Sequence, residues 1–350
     1  MLTSAERAAL DRALDLAATP GVPPGPNPRV GCVILSPQGE VIGEGFHRGA
    51  GTPHAEVAAL AVAGAAARGA TAVVSLEPCN HQGRTGPCAQ ALLEAGIAKV
   101  VYALPDPTPQ AGGGAERLSA AGVQVVAADG EQQARARDFL EPWTASQTWG
   151  RPFVTVKMAA TLDGRIAASD GTSRWITGPE SRRDVHRLRA NVDAIVVGRG
   201  TVVADDPSLT VRDVDAGGYQ PLRVIVGRGD LPADCSLVGV QDGSVLHLRT
   251  HEPEGILDSL FERGVRHVLV EGGPTLVSAW LQADVVDRLV WFIAPVILGS
   301  GPAAVGDIGV STMSDASRWQ VVNVDRFGED ARIVAARTTA PTRGAAERET

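Results

Sequence analysis

His54-Ala55-Glu56, then Glu77-Pro78-Cys79, then Cys88: these three pieces decide how the first half of the chain folds and what it holds. One imidazole and two thiols suit a tetrahedral Zn²⁺, and three protein ligands leave the fourth position to water, as in catalytic rather than closed structural sites. Glu56 is placed to move protons rather than to bind metal. The surrounding pattern alternates between strand and helix. Apolar Leu10, Leu14 and Ala17 share one face of a helix over 4–18, and a Pro/Gly loop follows over 20–28. Strands are expected at 31–35 and 41–47 around the turn Ser36-Pro37-Gln38-Gly39. Residues 55–67 are strong helix formers, which puts His54 and Glu56 at a helix N-terminus. A strand over 72–76 delivers Glu77-Pro78-Cys79, and Cys88 opens a helix over 88–95 that ends at Gly96. A strand over 99–103 and the Gly-rich stretch 110–114 complete an α/β alternation.

At 350 residues the chain exceeds one ordinary core, so two domains are expected. Glu141-Pro142-Trp143 and the polar run to Trp149-Gly150-Arg151-Pro152 place the boundary near 148, giving domains over 1–147 and 148–337. The polar tail 338–350 is expected to be disordered. A net charge of −8 disfavours an electrostatic grip on nucleic acid. The local basic clusters Arg182-Arg183 and Arg187 to Arg189 fit a phosphorylated small molecule better. Four cysteines do not make a disulfide framework: Cys32 reads as core, and Cys235 has no evident partner. The N-terminal stretch carries Glu6, Arg7, Asp11 and Arg12, unlike a secretory signal, and no window is apolar enough to span a membrane. A cytoplasmic enzyme is expected.

The second half begins a new strand at 152–157, and further strands are expected at 194–198, 222–226, 245–248, 267–270 and 289–294. This again reads as α/β. No Gly-x-Gly-x-x-Gly stands at a strand-to-helix turn, and Gly227-x-Gly229 is too short a match, so a Rossmann fold is unsupported. Leu269-Val270-Glu271-Gly272-Gly273-Pro274-Thr275-Leu276 does run from a buried strand through two glycines into a helix, where backbone N–H groups favour phosphate.

The first-half pattern matches the chemistry of zinc nucleobase deaminases, in which the metal activates water and a non-ligand Glu shuttles protons. Their usual second motif is Pro-Cys-x-x-Cys, whereas here residues 80–87 separate the cysteines. Pro26-Asn27-Pro28-x-Val30-Gly31-Cys32-Val33, the His-x-Glu and Glu77-Pro78-Cys79-x-His81-x-Gly83-Arg84-Thr85-x-Pro87-Cys88 resemble the deaminase half of the bifunctional riboflavin-biosynthesis deaminase/reductase family, which has this long spacing. Lys157-Met158-Ala159, Trp175-Ile176-Thr177-Gly178, Gly198-Arg199-x-Thr201, Asp205-Asp206-Pro207-x-Leu209-Thr210-x-Arg212 and Glu271-Gly272-Gly273 follow in the order of its reductase half.

The resemblance implies a cytidine-deaminase-like three-layer sandwich followed by a dihydrofolate-reductase-like domain. It implies Zn²⁺ on His54, Cys79 and Cys88, with Glu56 as proton shuttle and Asn27, His47, His81 and Arg84 on the phosphorylated pyrimidine. In the second half it implies NADPH bordered by Ala159, Trp175, Thr201, Asp205 and the run Gly273, Pro274, Thr275, Leu276, Val277, Ser278 and Ala279. Ser173, Arg189, Leu209, Arg212 and Glu271 would hold substrate, with Arg189 and Arg212 on its 5′-phosphate and Lys157 and Asp205 as catalytic groups. A homodimer is expected. The chain departs from the family at Thr108 in Asp106-Pro107-Thr108-Pro109 and in the loop Gln110-Ala111-Gly112-Gly113-Gly114. Two other readings stay open: a zinc deaminase fused to a pterin- or folate-type reductase, and a zinc-stabilised binding protein with decayed sites.

Overall fold

A capping box starts the chain's first helix, α1 (Ser4–Ala17): Thr3 Oγ1 accepts from Glu6 N at 3.2 Å while Glu6 Oε2 accepts from Thr3 N at 2.9 Å. The computed structural model describes residues 1–81, 86–240 and 243–338, and divides into two compact units, Met1–Thr148 and Trp149–Thr350. The first unit continues with β1 (Gly31–Leu35), β2 (Val41–Phe46), α2 (Ala55–Ala63), β3 (Thr71–Val74), α3 (Cys88–Glu94), β4 (Lys99–Tyr102), α4 (Gly114–Ala120), β5 (Gln124–Ala127) and α5 (Gly130–Trp149). Its sheet runs β2-β1-β3-β4-β5, with β1 antiparallel to both neighbours and β3, β4 and β5 parallel.

Alternate residues of each strand serve opposite faces. Val33 and Leu35 face Leu10 and Leu14 of α1 and Leu140 and Trp143 of α5, while Cys32 and Ile34 face Ala55 and Ala59 of α2, Leu92 of α3 and Leu118 of α4. The result is the expected three-layer sandwich. The helix predicted over 55–67 stops as an α-helix at Gly64, where φ turns to 56°, and finishes as a 3₁₀ turn. Sequence patterning did not anticipate α4 or β5. Pro142 does not end α5, because Ala136, Leu140, Trp143 and Ser146 bury one continuous face on both sides of it.

The second unit comprises β6 (Phe153–Thr161), α6 (Pro179–Arg189), β7 (Ala194–Gly198), α7 (Arg199–Asp205), β8 (Leu222–Val226), β9 (Val245–Leu248), α8 (Pro253–Glu262), β10 (His267–Val270), α9 (Pro274–Gln282), β11 (Arg288–Ala294), β12 (Trp319–Phe327) and β13 (Asp330–Arg337). The sheet order is β12-β13-β11-β6-β10-β7-β8-β9, parallel from β11 to β9 and closed by the antiparallel β12–β13 hairpin. Val196, Val268 and Val270 pack with Leu257 of α8 and Trp280 of α9 on one face. Ile195, Val197 and Leu269 meet Val202 of α7 and the buried Cys235 on the other. β6 outruns its predicted end because it is central: β10 pairs with 153–156 and β11 with 155–161. Among the described residues no helix is long and apolar enough to cross a membrane.

Candidate active sites

Close packing of α2 on β2 sets the first site. A Cβ at Gly43 would lie 2.4 Å from Ala59 O, and one at Gly45 would lie 2.5 Å from Ala59 N, so only glycine lets this helix come so near. His54 is its N-cap residue but makes no side-chain cap bond, and its ring turns to the cysteines instead. Nδ1 lies 3.1 Å from Cys88 Sγ and 3.6 Å from Cys79 Sγ. The three ligand atoms all fall within 4.8 Å of one another, a donor set that fits a zinc ion. The N-terminus of α3 adds Cys88 N as a donor to Cys79 Sγ at 3.4 Å. The Cys88 thiol and then His54 hold Cys79 low against the opposing effect of burial, so one sulfur is thiolate-like and ready for a cation.

Glu56 is buried, and burial pushes its carboxyl up to about 7, with the Cys79 charge adding to the rise. His54, Glu56 and Cys79 share a cavity of about 270 Å³ with Asn27, His47 and His81. His47 Nδ1 donates to Pro53 O at 3.1 Å, which leaves Nε2 to accept from Asn27 Nδ2, also at 3.1 Å. Burial lowers the His47 pKa and favours that neutral form. His81 Nδ1 is buried without a partner among the described residues. Arg84 lies outside the described residues, as does the tail beyond Thr338.

Glu77, Asp106, Thr108 and Gln110, quoted from sequence without an assigned role, also line the wall, and so do Trp143 and Gln147, which sequence did not connect with the site. Glu77 accepts from Asp106 N at 3.1 Å and from Ala115 N at 2.9 Å, tying the end of β3 to the loop before α4. Gly114 presses on the same point, since a Cβ there would lie 1.7 Å from Pro78 O. Thr108, where the chain departs from the family pattern, turns its hydroxyl to Asp106 Oδ1 at 2.6 Å. Trp143 donates to Pro26 O at 3.0 Å and so fixes the segment carrying Asn27. Only the Glu-Pro-Cys context marked Glu77, and nothing in sequence marked Trp143, which reaches the site through tertiary packing of α5.

The second unit has a cavity of about 800 Å³. Lys157, Ala159, Ser173, Trp175, Arg189, Thr201, Asp205, Leu209, Arg212 and Glu271 all line it, as do Arg182, Arg183 and His186. At its floor Glu271 Oε1 accepts Arg189 Nε at 2.6 Å, and Oε2 accepts Arg189 Nη2 at 3.0 Å and lies 3.2 Å from Lys157 Nζ. Burial alone would raise the Glu271 pKa, but the charges of Arg189 and Lys157 outweigh it and hold the carboxylate at about 2. Arg189 thus gives much of its fork to Glu271 and Thr210 O, whereas the Arg212 side chain is 54% exposed. Trp175 is 69% exposed with the Arg182 guanidinium 4.6 Å above its ring.

The run from Gly273 to Ala279 is divided. Gly273 N donates to Thr201 Oγ1 at 3.1 Å, so the start of α9 adjoins the cavity wall. Val277 is fully buried in the core, and Ser278 Oγ is engaged with Pro274 O and Gly306 N. The helical period turns these two inward.

Comparison with known proteins agrees with this geometry on both units. Residues 3–104 match the cytidine and deoxycytidylate deaminase zinc-binding region, and residues 152–333 match the RibD C-terminal domain. The riboflavin biosynthesis protein RibD of Mycobacterium tuberculosis is 48% identical over 307 residues, 87% of this chain and 89% of that protein. The solved structure of Acinetobacter baumannii RibD superposes with a TM-score of 0.87 at 36% identity, covering 96% of this chain and 99% of that one. A Thermotoga maritima structure described as a diaminohydroxyphosphoribosylaminopyrimidine deaminase/5-amino-6-(5-phosphoribosylamino)uracil reductase gives a TM-score of 0.83 at 34% identity, covering 95% and 99%. The two units are the cytidine-deaminase-like and dihydrofolate-reductase-like folds, and the chain belongs to the RibD family of bifunctional riboflavin-biosynthesis enzymes.

Proposed function

We propose that the chain carries out two successive steps, one in each unit. The first is hydrolytic deamination of 2,5-diamino-6-(5-phosphoribosylamino)pyrimidin-4-one. The second is NADPH-dependent reduction of the ribosyl side chain to ribityl. The observation that carries the first step is the convergence of His54, Cys79 and Cys88 on one point, beside a cavity that His54, Cys79 and the buried Glu56 line.

His54, Cys79 and Cys88 would hold zinc, which when bound supplies the Lewis acidity that makes water a nucleophile at neutral pH. Glu56 takes the proton from that water and returns it to the departing amino nitrogen, a task favoured by a carboxyl pKa close to the working pH. Neutral His47, fixed by Asn27 and Pro53 O, and the unpartnered His81 Nδ1 are the groups left to orient the pyrimidine.

In the second unit NADPH, when bound, would supply a hydride for C1′ of the sugar. Ala159, Trp175, Thr201 and Asp205, which line the cavity, would border the cofactor, with Gly273 at the start of α9 beside Thr201. Ser173, Leu209 and the Arg189–Glu271 pair position the sugar, and Arg212 takes the 5′-phosphate. Lys157, held by Glu271, protonates the sugar oxygen as C1′ is reduced, with Asp205 as the second candidate.

The test follows ammonia and NADPH absorbance together, starting from the diaminopyrimidinone substrate, with dihydrofolate supplied in a parallel reaction. Ammonia first and NADPH loss second is the expected order. Oxidation of NADPH by dihydrofolate alone would replace the second step by a folate-type reduction. Bound zinc with no ammonia release would leave a zinc-stabilised binding protein.

A further inference from the structure

The segment from Asp206 to Asp213 gives Leu209 and Arg212 to the wall of the second unit's cavity, yet it belongs to no strand of that unit's sheet. Three of its non-glycine residues have left-handed backbones: φ is 42° at Asp206, 52° at Leu209 and 62° at Asp213. Such conformations persist only where surrounding groups hold them. The first is held by Ser236, whose N and Oγ both donate to the Asp206 carboxylate at 2.7 Å.

The middle of the segment is held from two sides. Arg189 Nη1 donates to Thr210 O at 2.9 Å, and Arg212 N donates to His186 Nδ1 at 3.4 Å, so these backbone groups turn toward α6. Val211 turns away from them to Gln220. Its N donates to Gln220 Oε1 at 2.8 Å, and its O accepts from Gln220 Nε2 at 3.0 Å. Backbone groups that alternate in this way are those of a strand between two neighbours. Here side chains stand in for the neighbouring strands, and a single amide supplies both donor and acceptor on the outer side. Gln220 is brought back beside Val211 by a turn in which Tyr219 N donates to Ala216 O at 2.8 Å. Tyr219 Oη then donates to Val192 O at 2.9 Å and fixes the return. Gln220 itself is exposed and does not line the cavity.

We infer that Gln220 is a positioning residue for the reductase substrate: its double bond to Val211 fixes Leu209 and Arg212 on the cavity wall, and it acts on the 5′-phosphate only through Arg212. This rests on the reductase reading of the second unit, with Arg212 on that phosphate. The Arg212 side chain is 54% exposed, and its one ion pair, to Asp213, is 3.8 Å long. Its own contacts therefore do little to aim it, and the backbone beneath it decides where the guanidinium points.

The experiment uses the full-length protein and its Gln220→Ala, Gln220→Met, Arg212→Ala and Gln220→Ala/Arg212→Ala variants. It measures kcat and KM on the deaminated substrate at saturating NADPH, KM for NADPH, ribose 5-phosphate binding and melting temperature. Gln220→Ala raises the substrate KM and weakens ribose 5-phosphate roughly three- to tenfold, the worth of a neutral hydrogen bond. The KM for NADPH and ammonia release stay at wild-type values. Gln220→Met keeps the length of the side chain without its amide and behaves as the alanine variant does. In the Arg212→Ala background the second substitution adds nothing, because the two residues act as one. Wild-type binding in Gln220→Ala or in Gln220→Met overturns the inference, and so does a loss that adds fully to that of Arg212→Ala. A lower melting temperature with unchanged binding gives Gln220 a structural role and overturns it as well. A wild-type protein that oxidises no NADPH on this substrate, while Gln220 and Arg212 remain coupled in ribose 5-phosphate binding, overturns the reductase reading and keeps the positioning role.

Discussion

Glu56 and Glu271 are both buried carboxyls, yet their surroundings drive them apart. Burial outweighs the His54 charge at Glu56 and lifts it to about 7, whereas Glu271 sits between Arg189 and Lys157 and falls to about 2. The first can exchange a proton near neutrality; the second is a fixed charge. Glu56→Gln keeps the shape and removes the exchangeable proton, so ammonia release drops by roughly 10²–10⁴-fold. Reduction of the deaminated intermediate continues in that variant, and parallel loss of both activities would contradict two separate centres. For Glu271 the folded-state pKa lies below its ordinary 4.5, so its contribution to stability is fully present above that value. It is lost as pH falls toward 2. Glu271→Gln should therefore flatten the acid side of the melting-temperature profile between these limits. It should also cost reductase activity at pH 7, because Lys157 and Arg189 lose their common partner.

At the scale of elements, distant segments hold the pieces that carry chemistry. α6 brings Arg182, Arg183, His186 and Arg189 to the reductase cavity, but its N-terminal end is braced by the β12–β13 hairpin. Buried Asp330 accepts from Gly178 N at 2.7 Å and Ser181 Oγ at 2.6 Å, and Arg332 pairs with Asp184 at 2.6 Å. The segment running into this cap contains Ser173 and Trp175, both on the cavity wall. Asp330→Ala leaves those donors unsatisfied and should destabilise the second unit by about 1–3 kcal/mol. A raised KM for both NADPH and substrate, with ammonia release unaffected, is the accompanying kinetic result. A fall in melting temperature with unchanged KM values would confine Asp330 to a structural role. In the first unit His54, Cys79 and Cys88 come from the starts of α2 and α3 and from the residues following β3, so a metal held by them would join three elements at one point.

At the scale of the molecule, each unit has its own sheet and its own apolar clusters. Chelation should therefore act on one activity. Stripping zinc is expected to abolish ammonia release and lower the melting temperature of the first unit, while NADPH oxidation on the deaminated intermediate persists. Unfolding of such a chain need not be one transition, and differential scanning calorimetry with and without chelator is the check. A single transition moved as a whole by the chelator would show that the units melt together.

The sequence by itself determined the chemistry and the order of the pieces. His-x-Glu and Glu-Pro-Cys with the distant Cys88 are local statements about which atoms can bind zinc and move protons. The alternating patterns that flank them are local statements about strand and helix. Those signals depend on neighbours in the chain, so they survive without a structure. Tertiary structure decided what depends on residues far apart in sequence. It carried α5 unbroken through Pro142, since the buried face around Leu140 and Trp143 outweighs the lost N–H. It extended β6 to Thr161 because β11 pairs along it, and it formed the C-terminal hairpin although β12 exposes Val321, Val322 and Val324 and shows no clean alternation. It also turned Arg189 from a free phosphate ligand toward Glu271, brought Trp143 to Pro26, and closed Gln220 on the backbone of Val211. A residue's type fixes what its side chain can bond, but which partner it meets is settled only when long-range packing brings that partner within reach.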